Sequence, residues 1–251
     1  MKQNPKYIAL AVLISTAIVV SLYFIMDIVG ESSAIGRVCL LFGGHLPHSL
    51  LHQYLIWIAF LWGMFEIRVR LVEIRRQKKS FGLHLLPEEE HWVMAPDDVS
   101  ELKIKMIDLE KTNDYYLIQV IKKACTKFRA EKSVSDVMNL VSSQVKINLA
   151  NAESGQTVIR YLAWSMPALG FIGTIFGIGA SLSLADRAAD PEILRQITNN
   201  MYVAFDNTLL ALAFSIILLY YYNTLQAEED HLHHQIEQYV LDNLVNRLHL
   251  E

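Results

Sequence analysis

The chain has 251 residues, 53% of them hydrophobic, and sets 22 Lys and Arg against 26 Asp and Glu for a formal net charge of −4. With no global basic field, no basic-aromatic groove and no zinc-finger spacing, the composition argues against nucleic acid as a partner. The apolar residues are bunched into blocks rather than spread at amphipathic spacing, which describes a polytopic membrane protein rather than a soluble globule.

The N-terminus is short and basic, with Lys2 and Lys6. The apolar run that follows is longer than the core of a signal peptide and lacks a small-residue cleavage site, so a retained first span is expected over about residues 7–27. Asp27, Gly30, Glu31, Ser32 and Ser33 end it, and Gly36, Gly43, Gly44 and Pro47 mark the connection to His48 as a loop with an interfacial piece over residues 38–42. A second span is expected over about residues 50–67, carrying Trp57 and Trp62. It runs into Arg68, Arg70, Arg75, Arg76, Lys78 and Lys79, the densest positive charge in the sequence. The positive-inside rule places this end in the cytoplasm, with both chain termini, and puts the 30–48 loop and the 186–200 tip outside. Cys39 and Cys125 then fall on opposite sides of the membrane, which argues against a disulfide.

From residue 68 to 157 the composition is that of a soluble domain. Pro87 and Pro96 bracket an acidic, irregular segment, Glu88, Glu89, Glu90, His91 and Trp92. Asp97 or Ser100 is expected to cap a helix bearing Leu102, Ile104, Met106 and Leu109. Ser135 or Asp136 begins another, with Val137, Leu140, Val141, Val145 and Leu149 on one face, leading toward the third span. That span, residues 160–184, has no Asp, Glu, Lys or Arg between Leu162 and Leu184. A bilayer core needs about 20 such residues in helical form. A fourth span is expected over residues 202–223, after a short polar loop. Residues 228–250 then read as an amphipathic cytoplasmic helix with Leu232, Ile236, Tyr239, Val240, Leu244, Val245 and Leu248 on one stripe. His231, His233 and His234 read as a solvated face, since no Cys or clustered carboxylate completes a metal site. Four regions result: a transmembrane hairpin (1–70), a cytoplasmic helical domain (71–157), a second transmembrane hairpin (158–223) and the C-terminal helix (224–251).

The third span carries small residues where lipid would be satisfied by Leu and Ile. Pro167, Gly170, Thr174, Gly177 and Ser181 lie three or four apart and share one face, with Gly173 beside them, while Phe171, Ile175, Ile178 and Leu182 face elsewhere. On the fourth span Thr208 and Ser215 are two turns apart on one side. Two readings stay open: a polar face lining a pathway, or hydroxyls bonded to backbone carbonyls with glycines serving helix packing. Asp206, one turn inside the outer end, reads either as a cation entry site or as an interfacial carboxylate near Asn199 and Asn200. Asn207 offers a carbonyl oxygen that suits sodium. Asp27 and Asp206 lack the sequence contexts of an intramembrane aspartyl protease, and with no nucleophile–base pair or phosphate loop the chain is not expected to be an enzyme or to hold a cofactor.

The run Pro167-Ala168-Leu169-Gly170-Phe171-Ile172-Gly173-Thr174-Ile175-Phe176-Gly177-Ile178, followed at a fitting distance by Ala204-Phe205-Asp206-Asn207-Thr208, resembles the MotA/TolQ/ExbB proton-channel family. From Thr208 the match continues through Ala211, Leu212, Ile216, Tyr222 and Asn223. The resemblance covers about residues 158–223. It implies an all-α fold of four transmembrane helices with a helical cytoplasmic domain, in a multi-pass protein of the bacterial inner membrane. It further implies a homopentamer around a dimeric, single-span MotB/TolR/ExbD-like partner whose transmembrane aspartate takes and releases the ion. Thr174 and Thr208 fall on the family's two pore threonines, so the resemblance implies an ion-driven stator subunit. The implied ion pathway comprises Thr174, Ser181, Asp206, Asn207, Thr208 and Ser215, with Pro167, Gly170, Gly173 and Gly177 serving helix packing or hinging. The transported ion is expected to be a proton, with sodium the alternative. Asp206 and Asn207 depart from the family pattern, and Ile217 replaces its second proline. The rival reading is a non-conducting oligomeric scaffold in which the threonines only pack.

Overall fold

The computed structural model describes residues 5–30, 33–44, 50–89 and 93–249. Lys2, Glu31, Ser32, Pro47, His48, Glu90, His91 and Trp92 lie outside the described residues. The helices are α1 (Pro5–Val29), α2 (Ala34–Cys39), α3 (Leu50–Lys78), α4 (Pro96–Thr112), α5 (Tyr116–Glu131), α6 (Val134–Gly155), α7 (Thr157–Leu182) and α8 (Pro191–Asn243). Among the described residues there is no strand, only a parallel bridge between Met94 and Leu248. The chain divides into two compact units, Met1–Arg68 with Thr157–Asn223, and Val69–Gln156 with Thr224–Glu251.

Among the described residues three helical runs are long and apolar enough to cross a bilayer: Pro5–Val29, Val134–Leu182 and Pro191–Arg247. The expected second span lies in α3, which is not one of them. His52, Gln53 and Tyr54 at one end and Glu66 and Arg68 at the other leave only residues 55–65 as an uninterrupted stretch. The structure therefore supports three spanning helices by length and composition where the sequence suggested four.

In the first unit, α1 stops at Gly30, whose φ of +82° is the left-handed conformation glycine adopts without cost. The described part of the connection expected as a loop, residues 34–44, is helical. Ser33 caps α2 by accepting from Gly36 N at 2.9 Å, and a π-helical turn, Leu40–Gly44, follows with Gly43 at φ +133°. Neither α2 nor the turn is long enough to hold itself. α3 supplies the missing donors, Trp57 Nε1 to Phe42 O at 2.7 Å and Gln53 Nε2 to Leu41 O at 3.3 Å. α3 also packs on α8, with Phe60 stacked on Phe214 at 4.2 Å between ring centroids and Trp57 edge-on to the same ring at 4.7 Å.

The polar loop between the last two spans is shorter than expected. Asp190 Oδ1 accepts from Glu192 N at 2.9 Å, and Pro191 opens α8, so residues 191–200 are already helical. α8 then continues without interruption through what the sequence divided into a fourth span and a separate C-terminal helix.

In the second unit the organising element is α5, which the sequence reading passed over. It buries Leu117, Ile118, Val120, Ile121, Ala124, Cys125 and Phe128 and packs against both α4 and α6. Its start has no side-chain cap of its own. Gln77 of α3 takes that role, accepting from Tyr116 N at 2.8 Å and donating to Asp114 O at 3.0 Å. α4 begins at Pro96 rather than at Asp97 or Ser100, with Asp98 Oδ2 accepting from Ala95 N at 3.0 Å. Its Met106 is buried, whereas Ile104 is exposed. α6 starts one residue after Ser133, whose Oγ accepts from Asp136 N, and buries Val137, Val141 and Val145. The C-terminal part of α8 buries Leu232, Ile236, Val240 and Leu244 as expected, but His233 lies inside that stripe and is buried too. The solvated histidine face is thus limited to His231 and His234. Burial also pushes the Cys125 thiol up to about 12, leaving it un-ionised.

Candidate functional site

α7 and α8 pack antiparallel, and the small residues of α7 are what allow it. A Cβ on Gly170 would sit 2.6 Å from the Ala211 Cβ and 3.1 Å from Asn207 O, and one on Gly177 would sit 2.6 Å from the Ala204 Cβ and 2.9 Å from Asn200 O. One on Gly173 would meet the Asn207 amide at 2.8 Å. The two backbones therefore approach as closely as small residues permit, with glycines seven apart on α7 answered by alanines seven apart on α8. Phe171, Ile175 and Leu182 point away and are exposed, as their spacing requires.

Every hydroxyl singled out by the sequence lies on this seam. Ser215 Oγ donates to Ala163 O at 2.8 Å, Thr208 Oγ1 to Gly170 O at 3.0 Å, and Ser181 Oγ is 3.0 Å from Gly177 O and 3.1 Å from Ile197 O. Thr174 Oγ1 is 3.2 Å from both Gly170 O and Ala204 O, and its hydroxyl touches that of Thr208 directly. Each step along α7 is matched by an equal step back along α8, so the two threonines meet at one depth.

Pro167 and Ser215 form a matched pair. Pro167 lies inside α7 and has no N–H, so the carbonyl four residues earlier, Ala163 O, loses its helical partner. Ala163 O is the oxygen that Ser215 reaches. The hydroxyl expected as part of a polar pathway thus satisfies a backbone acceptor that a proline has freed.

Asp206 and Asn207, both buried, point in different directions. Asp206 Oδ1 pairs with the Arg37 guanidinium of α2 at 2.9 Å, and the same guanidinium lies 4.8 Å over the Tyr202 ring. Asp206 is therefore neither water-facing at the interface nor a helix cap: it is neutralised within its own unit. Arg37 was missed by the sequence reading although it is the one Lys or Arg between Lys6 and Arg68. Asp27 lies on an exposed face of α1 and has no part in this pair. Asn207 instead lines a cavity of about 580 Å³ between α7 and α8, capped by His52 of α3.

Outside the hairpin, Glu229 of α8 is buried, with Gln156 Nε2 3.5 Å from its carboxyl and its own carbonyl bonded to His233 Nδ1 at 2.9 Å. Burial pushes the Glu229 carboxyl up to about 7, opposed by the Arg70 guanidinium and reinforced by Asp230 and Glu73. Burial lowers the neighbouring His233, which keeps it neutral. Among the described residues, no three His, Cys, Asp or Glu side chains are grouped to hold a metal ion.

The model of the MotA/TolQ/ExbB proton channel family matches residues 112–238, half of the chain, taking in α5, α6, α7 and most of α8. No curated protein and no solved structure matches the chain.

Proposed function

The chain belongs to the MotA/TolQ/ExbB proton channel family, and on that premise we propose that it is the channel-forming stator subunit of an ion-driven motor in the bacterial inner membrane. In this reading α3 is a fourth span, tolerated despite its polar ends because its aromatic side packs on α8 rather than facing lipid. Both termini and the second unit are cytoplasmic. Five copies surround a dimeric, single-span partner that brings an aspartate to the depth of Thr174 and Thr208. Within the two spans of this hairpin the one carboxylate is Asp206, which is paired with Arg37, so in this reading the titrating group comes from the partner.

The observation that carries the proposal is the contact between the Thr174 and Thr208 hydroxyls in a span without a charged residue between Leu162 and Leu184. Both hydroxyl protons have carbonyl acceptors nearby, Gly170 O and Ala204 O. One of the two protons lies in the contact between the hydroxyls and the other goes to a carbonyl, which leaves threonine lone pairs for a protonated carboxyl, while a turn of either C–O bond presents a donor to the ionised form. A neutral pair that can serve both states stabilises proton uptake and release without adding a fixed charge to the membrane. The ion is a proton in this reading. Sodium is the alternative, through the Asn207 carbonyl.

Membrane vesicles from cells making this chain with a single-span, Asp-bearing partner should acidify when a pH gradient is imposed, and vesicles with either protein alone should not. An assembled complex of normal abundance that passes neither protons nor sodium would favour the scaffold reading.

A further inference from the structure

The α8 face that looks into the cavity carries Gln196, Asn200, Val203 and Asn207, at steps of four, three and four residues, so they form one stripe along the helix. The stripe runs from exposed Gln196 through half-buried Asn200 and Val203 to Asn207, which is 2% exposed. From first to last it spans about 16 Å at 1.5 Å per residue. Gly173 and Gly177, in close contact with α8, border the same cavity on the α7 side. At the inner end the Asn207 Oδ1 is buried and has no hydrogen-bond partner among the described residues. An unsatisfied amide in hydrocarbon costs several kcal/mol, and a cavity that exceeds the space for one water many times over lies along this side chain. The inner end of the stripe adjoins Thr208 in sequence.

We infer that this amide-lined cavity is a water-filled half-channel that brings the hydrated cation from the outer end of α8 down to Asn207, beside the threonine pair. The hydration stands on the cavity and on Asn207; its use for transport rests on the function proposed above. The stripe carries no charge, so it supports water and a monovalent cation in passage without trapping either. Asp206, next in the chain, faces Arg37 and takes no part.

The test is cysteine accessibility on the full chain in membrane vesicles, in a background with Cys39→Ala and Cys125→Ala, using a small water-soluble methanethiosulfonate. Asn200→Cys, Val203→Cys and Asn207→Cys should react at least about tenfold faster than Phe205→Cys and Leu209→Cys on the exposed apolar face, because each unit by which apolar surroundings raise a thiol's pKa removes tenfold of its thiolate. Asn207→Cys is the deciding position. Should it fail to assemble, Val203→Cys decides in the same way. Reaction at the deciding position as slow as at 205 and 209 means a dry, covered cavity and overturns the inference, as does equal reactivity on both faces. Labelling needs no transport, so it separates this inference from the channel reading. In a conducting complex Val203→Phe, which fills the cavity without touching Thr174 or Thr208, should cut flux by about tenfold or more, while Leu209→Phe should not. Unchanged flux with Val203→Phe would leave a wet cavity that is not the route, and the transport part of the inference would fall.

Discussion

At the scale of single residues, the seam between α7 and α8 is held by side chains that repair one another's defects. Pro167 strands the carbonyl of Ala163 and Ser215 recovers it. Ser215→Ala should therefore cost about 1–2 kcal/mol, the penalty of an unpaired buried acceptor, while the same change in a Pro167→Ala background should cost close to nothing because the helical N–H is restored. Thermal unfolding of the four purified chains gives the cycle, and additive effects would show that the two residues are independent. Arg37 and Asp206 are related in the same way, since a carboxylate buried within a span survives only with a cation beside it. The two partners are 169 positions apart in the chain. Asp206 was legible in the sequence as an oddity, but its partner was not. A lone arginine in the apolar stretch from residue 7 to 67 was the available signal, and only the fold shows which carboxylate it meets.

At the scale of elements, the glycines of α7 differ in what surrounds them, and the differences rank their substitutions. Gly170→Ala and Gly177→Ala drive a methyl into backbone and Ala Cβ atoms, which have no way to move aside. Gly63→Ala in α3 meets only the flexible end of Leu218, and Gly179→Ala meets nothing within 4 Å. Gly170→Ala and Gly177→Ala should thus each destabilise by about 1–3 kcal/mol, Gly63→Ala by less, and Gly179→Ala should stabilise by about 0.5–1 kcal/mol through helix propensity. Melting temperatures in detergent check the order, and a Gly179→Ala chain less stable than Gly170→Ala would contradict the packing described. The hairpin was readable because an uncharged run and small residues at helical spacing are local signals. α5 was not read although its apolar positions are periodic, because its start is capped by Gln77 from another helix and no local cap announces it. α2 escaped for a similar reason: six residues hold as a helix only because Trp57 and Gln53 of α3 bond the turn that follows.

At the scale of the whole molecule, the apolar hairpin and the charged, amphipathic helices belong to different compact units, and each has its own consequence. In the second unit Glu229 is protonated in folded and unfolded chains alike below its ordinary value of 4.5, and ionised in both above the folded value of about 7. The folded state holds the proton more tightly, so stability falls as pH rises through this window, by about 3 kcal/mol for a shift of this size. Glu229→Gln should accordingly raise the melting temperature at pH 8 and leave it nearly unchanged at pH 4, and an equal shift at both would show that burial of this carboxyl is not the cause. In the first unit the consequence is functional. The resemblance singled out Thr174 and Thr208 on two different helices, and the fold brings their hydroxyls into contact. The most direct measurement of the central claim is ion flux through the partner-bound complex carrying Thr174→Val and Thr208→Val. Valine keeps the shape and removes the hydroxyl, so packing persists while each variant loses a charge-assisted hydrogen bond of about 1.5–3 kcal/mol to the partner's carboxylate, slowing ion release by about one to two orders of magnitude. The account predicts that each single variant assembles at normal abundance with flux reduced by that factor, and that the double variant conducts nothing measurable. Normal flux in an assembled double variant would contradict it.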